Sequence, residues 1–148
     1  MSEPHYRRPD WFTKHVFNNV VGAFTRLGLS VWGSRVLEVT GRTSGQPRRT
    51  PVNLLTHDGA RYLVAPRGET QWVRNLRATN GHGALLIGRR REPFEAVELA
   101  DSEKREVLRS YLKRWKAEVG VFFDGVSATS ADSELDRIAP RHPVFRLR

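Results

Sequence analysis

The sequence predicts an α+β fold: a compact barrel of mostly antiparallel strands with flanking helices. Three observations carry that expectation. Short alternating apolar runs recur between residues 35 and 100, at the length of strands rather than helices. An Asp58-Gly59 pair separates two such runs, which is a strong hairpin signal. Stretches of helical period lie on either side, at 12–27 and 101–119.

In chain order, Phe12, Val16, Val20, Phe24 and Leu27 recur every three or four residues, so 12–27 reads as an amphipathic helix stopped by Gly28. A strand over 35–40 follows, with Leu37 and Val39 alternating against Val36 and Glu38. A second covers 49–56 and, across the Asp58-Gly59 turn, a third covers 61–65. Residues 70–78 read as a short helix with Trp72, Val73 and Leu76 on one side. Strands over 83–88 and 93–100 follow, separated by a basic turn at Arg89-Arg90-Arg91. The plainest helix is 101–119, capped by Asp101 or Ser102, with Val107, Leu108, Tyr111, Leu112 and Trp115 as its apolar stripe. A short helix near 132–139 and a strand over 143–147 complete the order.

The chain has 148 residues, a length suited to one domain over 1–148, with an N-terminal helix in 1–30 and the barrel core in 35–148. Cysteine is absent and the five histidines are scattered without a close pair, so no disulfide, thiol nucleophile or metal site is expected. Residues 1–10 show no apolar run before a cleavage site, and apolar runs elsewhere are short. A cytoplasmic location is therefore expected, with peripheral membrane contact by the N-terminal helix (Arg7, Arg8, Trp11, Phe12 and Lys14) as a minority reading. The net charge of +9 favours an anionic partner. Nucleic acid is not expected, because no aromatics interleave with the arginines at 89–91.

Thr40 to Pro51 carries two glycines, two prolines and three arginines between two strands. Gly41 and Gly45 permit backbone conformations that let amides converge on an anion. Arg42, Arg48 and Arg49 can add bidentate charged bonds, and Thr43 and Ser44 short hydroxyls. The plainer alternative is a hairpin turn whose arginines meet only water. A second such place is Val64-Ala65-Pro66-Arg67-Gly68-Glu69, where a helix start and Arg67 both favour an anion. Its alternative is an ordinary strand-to-helix connection with Trp72 packed in the core.

The blocks Thr40-Gly-Arg-Thr-Ser-Gly-Gln-Pro-Arg-Arg-Thr-Pro51, Val64-Ala-Pro-Arg-Gly68 and Trp72-Val-Arg-Asn-Leu-Arg-Ala78 resemble, in this order, the deazaflavin (F420)-dependent nitroreductase family. The resemblance runs from about 35 to 100 and implies a split β-barrel of the FMN-binding kind, holding coenzyme F420 rather than FMN. It implies that Arg42, Thr43, Ser44, Gln46 and Arg48 contact the cofactor's phosphate and polyglutamate tail. Ala65, Pro66, Arg67 and Gly68 would lie along the deazaflavin, Trp72 would wall the groove, and Asn75 would complete the set. The sequence departs from the pattern at Pro66, where the family often has Ser, and in Val119–Val126, which has no tyrosine.

The function implied is an F420H2-dependent reductase passing a hydride to a quinone, an enone or a nitro compound. Val119, Phe122 and Phe123, with Val121, would line the acceptor pocket. No residue is singled out as catalytic. Tyr62, Tyr111 and His142 are candidate proton donors, each more readily structural, and solvent would serve equally. The alternative is a non-catalytic barrel that binds F420 or a lipid.

Overall fold

The computed structural model describes residues 34–148, so the helix expected in 12–27 and its membrane contact lie outside the described residues. The chain runs β1 (Ser34–Thr40), β2 (Pro47–His57), β3 (Ala60–Val64), α1 (Gln71–Ala78), β4 (His82–Ile87), β5 (Arg90–Glu98), α2 (Arg105–Val119), α3 (Asp132–Ile138) and β6 (Val144–Leu147). The strands close in the order β1-β2-β3-β6-β5-β4, with β4 returning to β1. Every pairing is antiparallel.

Two long strands make the barrel in two halves. The first part of β2 pairs with β1 up to Asn53, and from Leu54 it pairs with β3. Likewise β5 pairs with β4 as far as Glu95 and with β6 from Ala96. Six strands thus form the α+β split barrel that the sequence predicts.

Strand periodicity divides the core. Leu37, Val39, Val52, Leu54, Leu63, Leu85, Phe94, Phe145 and Leu147 point inward, and Val73 and Leu76 of α1 join them. The alternate residues Leu55, Tyr62, Val64 and Val144 point outward and are covered by Leu108, Tyr111, Leu112 and Trp115 of α2. Burying one such leucine contributes roughly 1.5–3 kcal/mol, so both layers hold β2, β3 and β6 firmly. The α2 stripe is the one its spacing predicts.

Three expectations need correction. The turn between β4 and β5 is Gly88-Arg89, because Ile87 pairs with Arg90. Gly88 has φ +58°, as the first position of a two-residue II′ turn requires, and Arg90 and Arg91 are therefore strand residues. The helix expected from 101 begins at Arg105, after a separate 3-10 turn at Asp101–Glu103. Neither Asp101 nor Ser102 caps it: instead, the Ala100 N–H donates to the Glu103 carboxylate at 2.7 Å. Among the described residues no helix is long and apolar enough to cross a membrane.

Candidate active site

Helix α1 brings the two arginine-bearing segments together. The β1–β2 loop folds on itself: the Gly41 N–H donates to the Gln46 carbonyl at 2.8 Å, and the Gly45 N–H to the Gly41 carbonyl at 2.9 Å. Ser44 Oγ accepts from the Gln46 N–H at 3.1 Å. One side chain of α1 then pins the loop. Asn75 Oδ1 accepts from the Arg42 backbone N–H at 3.1 Å and from its guanidinium at 2.7 Å. Asn75 is only 5% exposed, so its oxygen is already committed to the loop.

Arg48 folds over Gly41, where an added Cβ would lie 3.3 Å from its Cγ and Nε. Thr43, Ser44, Gln46 and Arg48 are all exposed. Neither Arg42 nor Arg48 makes an ion pair among the described residues. Arg49 is different, since its Nε meets Glu38 at 3.0 Å.

The second segment, 65–70, leads directly into α1. Gly68 has φ +87°, a left-handed conformation that glycine adopts without strain. Its N–H donates to the Ala65 carbonyl at 3.2 Å, and the Thr70 N–H to the Gly68 carbonyl at 2.9 Å. Ala65 is buried, Pro66 and Gly68 are half-buried, and Arg67 is exposed. Trp72 is half-buried, its ring 5.9 Å from that of Phe145.

The Arg67 guanidinium stands 5.1 Å above the Phe122 ring, which joins this turn to the segment expected to form the acceptor pocket. Of that group, Phe122 is 38% and Val121 86% exposed. Val119, the last residue of α2, and Phe123 lie in the outer core on either side of the 3-10 turn at Gly120–Phe122. The three candidate proton donors are buried too: Tyr111 at 0%, His142 at 3% and Tyr62 at 8% exposure.

Charge around the site is organised by carboxylates. Asp124, next to the acceptor segment, accepts from Arg137 at 2.9 Å and from Arg141 at 3.2 Å, and these two hold it below the usual carboxylate range. Burial pushes the His142 imidazole below its ordinary value, opposed by the nearby backbone carbonyls of Ala65, its hydrogen-bond partner, and Pro66. Nearby Lys104 and Arg141 push it in the same direction as burial. Among the described residues no three His, Cys, Asp or Glu side chains gather as a metal site would need.

Sequence reasoning places Asn75 among the cofactor contacts and does not show that its side-chain oxygen holds the loop, and it misses Glu38 and the tie from His142 to Ala65. The Glu38–Arg49 pair has a readable signal, because two strands joined by a short loop place these residues opposite each other.

The family model described as F420H(2)-dependent quinone reductase matches residues 7–129. Solved structures share the fold at low identity. One titled as an F420-H2 dependent reductase (FDR-A) is 20% identical with a TM-score of 0.52, over 78% of this chain and 94% of that one. Another, described as a domain-swapped dimer, is 20% identical with a TM-score of 0.53, over 94% and 98%. A protein of unknown function from Agrobacterium tumefaciens, Atu2129, is 17% identical with a TM-score of 0.54, over 99% of this chain and 58% of its own. No curated protein matches. With most of its length inside that model, the chain belongs to the F420H(2)-dependent quinone reductase family and is an oxidoreductase whose reductant is the reduced deazaflavin F420H2.

Proposed function

We propose that this protein reduces a quinone with F420H2, the cofactor's acidic tail lying on the Arg42–Arg48 loop and its ring end on the Ala65–Gly68 turn. The observation that carries the reading is that α1 joins both segments: the turn enters its first residue, and Asn75 holds the loop. The residues suit the group. F420 carries a phosphodiester and glutamates, and Arg42, Arg48 and Arg67 offer guanidiniums with Thr43, Ser44 and Gln46 as neutral donors. Exposed contacts are worth only about 0.2–1 kcal/mol each, so affinity comes from several acting together.

When bound, F420H2 supplies a hydride, that is, two electrons and one proton. The protein's part is to align donor and acceptor and to keep water from between them. Trp72 walls one side. Phe122 and Val121 offer an apolar surface beside Arg67 for the flat acceptor. Reduction of a quinone to a quinol takes one further proton, which comes from solvent, since Tyr62, Tyr111 and His142 are all buried. Enones and nitro compounds share the electron-poor chemistry. The Pro66 position offers no hydroxyl to a nitro group, which favours the quinone.

Fluorescence titration with F420, with FMN as competitor, tests the cofactor half. Binding at micromolar F420 that FMN does not displace is expected. Oxidation of F420H2 by a panel of quinones, enones and nitroaromatics tests the acceptor half, and a panel in which quinones are the poorest substrates would overturn it.

A further inference from the structure

The C-terminal segment 139–143 touches both sides of the candidate site from below. His142 is 3% exposed, and its Nδ1 lies 3.2 Å from the Ala65 carbonyl. A carbonyl only accepts, so Nδ1 carries the hydrogen and Nε2 is left bare. That Nε2 has no hydrogen-bond partner among the described residues, as a buried neutral ring tolerates better than a charged one. The other contact is made by the face of the ring. It stacks on Phe123 with centroids 4.1 Å apart and planes 18° from parallel. Phe123 is next in the chain to Phe122, the ring beneath Arg67.

Neighbouring contacts keep the segment from drifting. The Ala65 N–H donates to the Pro143 carbonyl at 2.9 Å. The Arg141 carbonyl sits 3.4 Å from where a Cβ on Gly68 would be. Lys104, itself 3% exposed, donates its ammonium to the Ala139 carbonyl at 2.9 Å and reaches Asp101 at 2.8 Å. One imidazole therefore grips the cofactor turn by its edge and the acceptor wall by its face.

We propose that His142 is a positioning residue, setting the spacing between the Ala65–Gly68 turn and the Phe122 wall through one hydrogen bond and one ring stack. The role rests on the function proposed above. It matters because hydride transfer needs reacting atoms about 3–3.5 Å apart, and a shift of about 1 Å costs on the order of a hundredfold in rate. A residue that touches neither reactant can thus govern the reaction.

The two grips can be broken separately. H142N keeps an N–H near the position of Nδ1 and loses the ring. H142F keeps the ring and loses the N–H. In H142N the F420 Kd should stay within about twofold of wild type while the quinone KM rises roughly five- to tenfold, because only the wall moves. In H142F the F420 Kd should weaken by about tenfold with the quinone KM nearly unchanged, because only the turn is freed. A role confined to stability would move both constants alike in both variants, and that result, or no change in either, would overturn the proposal.

Amide hydrogen exchange gives the same answer without cofactor. The Gly68 N–H should exchange faster in H142F alone, and the Phe123 N–H faster in H142N alone. If wild type ignores F420, the proposed function falls, and this exchange pattern still decides whether His142 joins the two segments. Should a variant not fold, nitrogen NMR of wild type decides: an Nδ1–H tautomer supports the grip, and an Nε2–H tautomer refutes it.

Discussion

Two arginine clusters sit on the same barrel, and they differ in what their charge is free to do. Around the β1–β2 connection, Arg42 of the loop bonds a neutral amide oxygen and Arg48, at the start of β2, lies over a glycine, with no carboxylate on either among the described residues. At the β4–β5 hairpin, Arg90 pairs with Glu92 and Arg91 meets Glu38 at 3.1 Å. Glu38 also takes Arg49, and Glu92 takes Arg61. The difference is set by register: strands deliver Glu38 and Glu92 to the second cluster, while Arg42 lies off the sheet and Arg48 stands opposite Val39 rather than a carboxylate. A run of arginines in a sequence is thus no measure of charge available to an anionic ligand. The loop keeps its field for a partner, and the hairpin spends most of its own on the barrel.

The sharpest test of that contrast is the R42A/R48A double variant. Removing two charged donors without acidic partners should weaken F420 binding by about 1–2 kcal/mol, roughly five- to thirtyfold. The thermal midpoint should change little, because both side chains are exposed. The dependence of affinity on salt should flatten as well, since the screened interactions are the ones removed. Unchanged affinity would place the acidic tail elsewhere.

A smaller effect is expected from Asn75→Ala, which leaves both loop arginines present but unties the loop from α1. Re-ordering the freed loop on binding costs about 1 kcal/mol, so F420 affinity should fall about fivefold. Stability should fall by about 1–2 kcal/mol, because buried Asn75 is truncated and the part-buried Arg42 bonds lose their acceptor. If N75A binds as wild type, the loop orders itself without α1, and the joining role of the helix is lost.

Much of the scaffold is legible in the sequence. Asp58-Gly59 marks the β2–β3 turn because both residues adopt positive φ, 49° and 77°, and few other pairs do so readily. The α2 stripe is legible because burial selects residues at helical spacing. The β4–β5 turn is less so: three arginines draw the eye, while the conformational need is met by Gly88 just before them. The site is legible as chemistry and not as geometry. Local sequence marks Arg42, Arg48 and Arg67 as anion-binding types. It does not show that Asn75 holds Arg42, or that Phe123 turns inward while Phe122 stays out, since those facts depend on contacts between distant elements.

The smallest expected effect belongs to the hairpin, and it comes with a pH dependence that checks the comparison from the other side. R90A/R91A should leave F420 affinity within about twofold of wild type and cost less than about 1 kcal/mol of stability, as exposed pairs do. Burial alone would raise the Glu38 pKa, but hydrogen bonds from Arg91 and Arg49 outweigh it and hold the carboxyl below its ordinary 4.5. A depressed carboxyl stabilises the fold in full above its unfolded value, and that contribution is lost as pH falls through the folded one. Above pH 4.5, then, Glu38 keeps Arg49 and Arg91 occupied, and protonation in stronger acid releases them. In an R42A/R48A background, retention on a polyanion column should therefore be weaker than that of wild type at neutral pH. E38Q in the same background should raise it at neutral pH, since the amide frees both arginines without acid. If E38Q changes nothing, the hairpin charge is not held by its carboxylates, and the distinction between the two clusters must come from where they sit rather than from what they pair with.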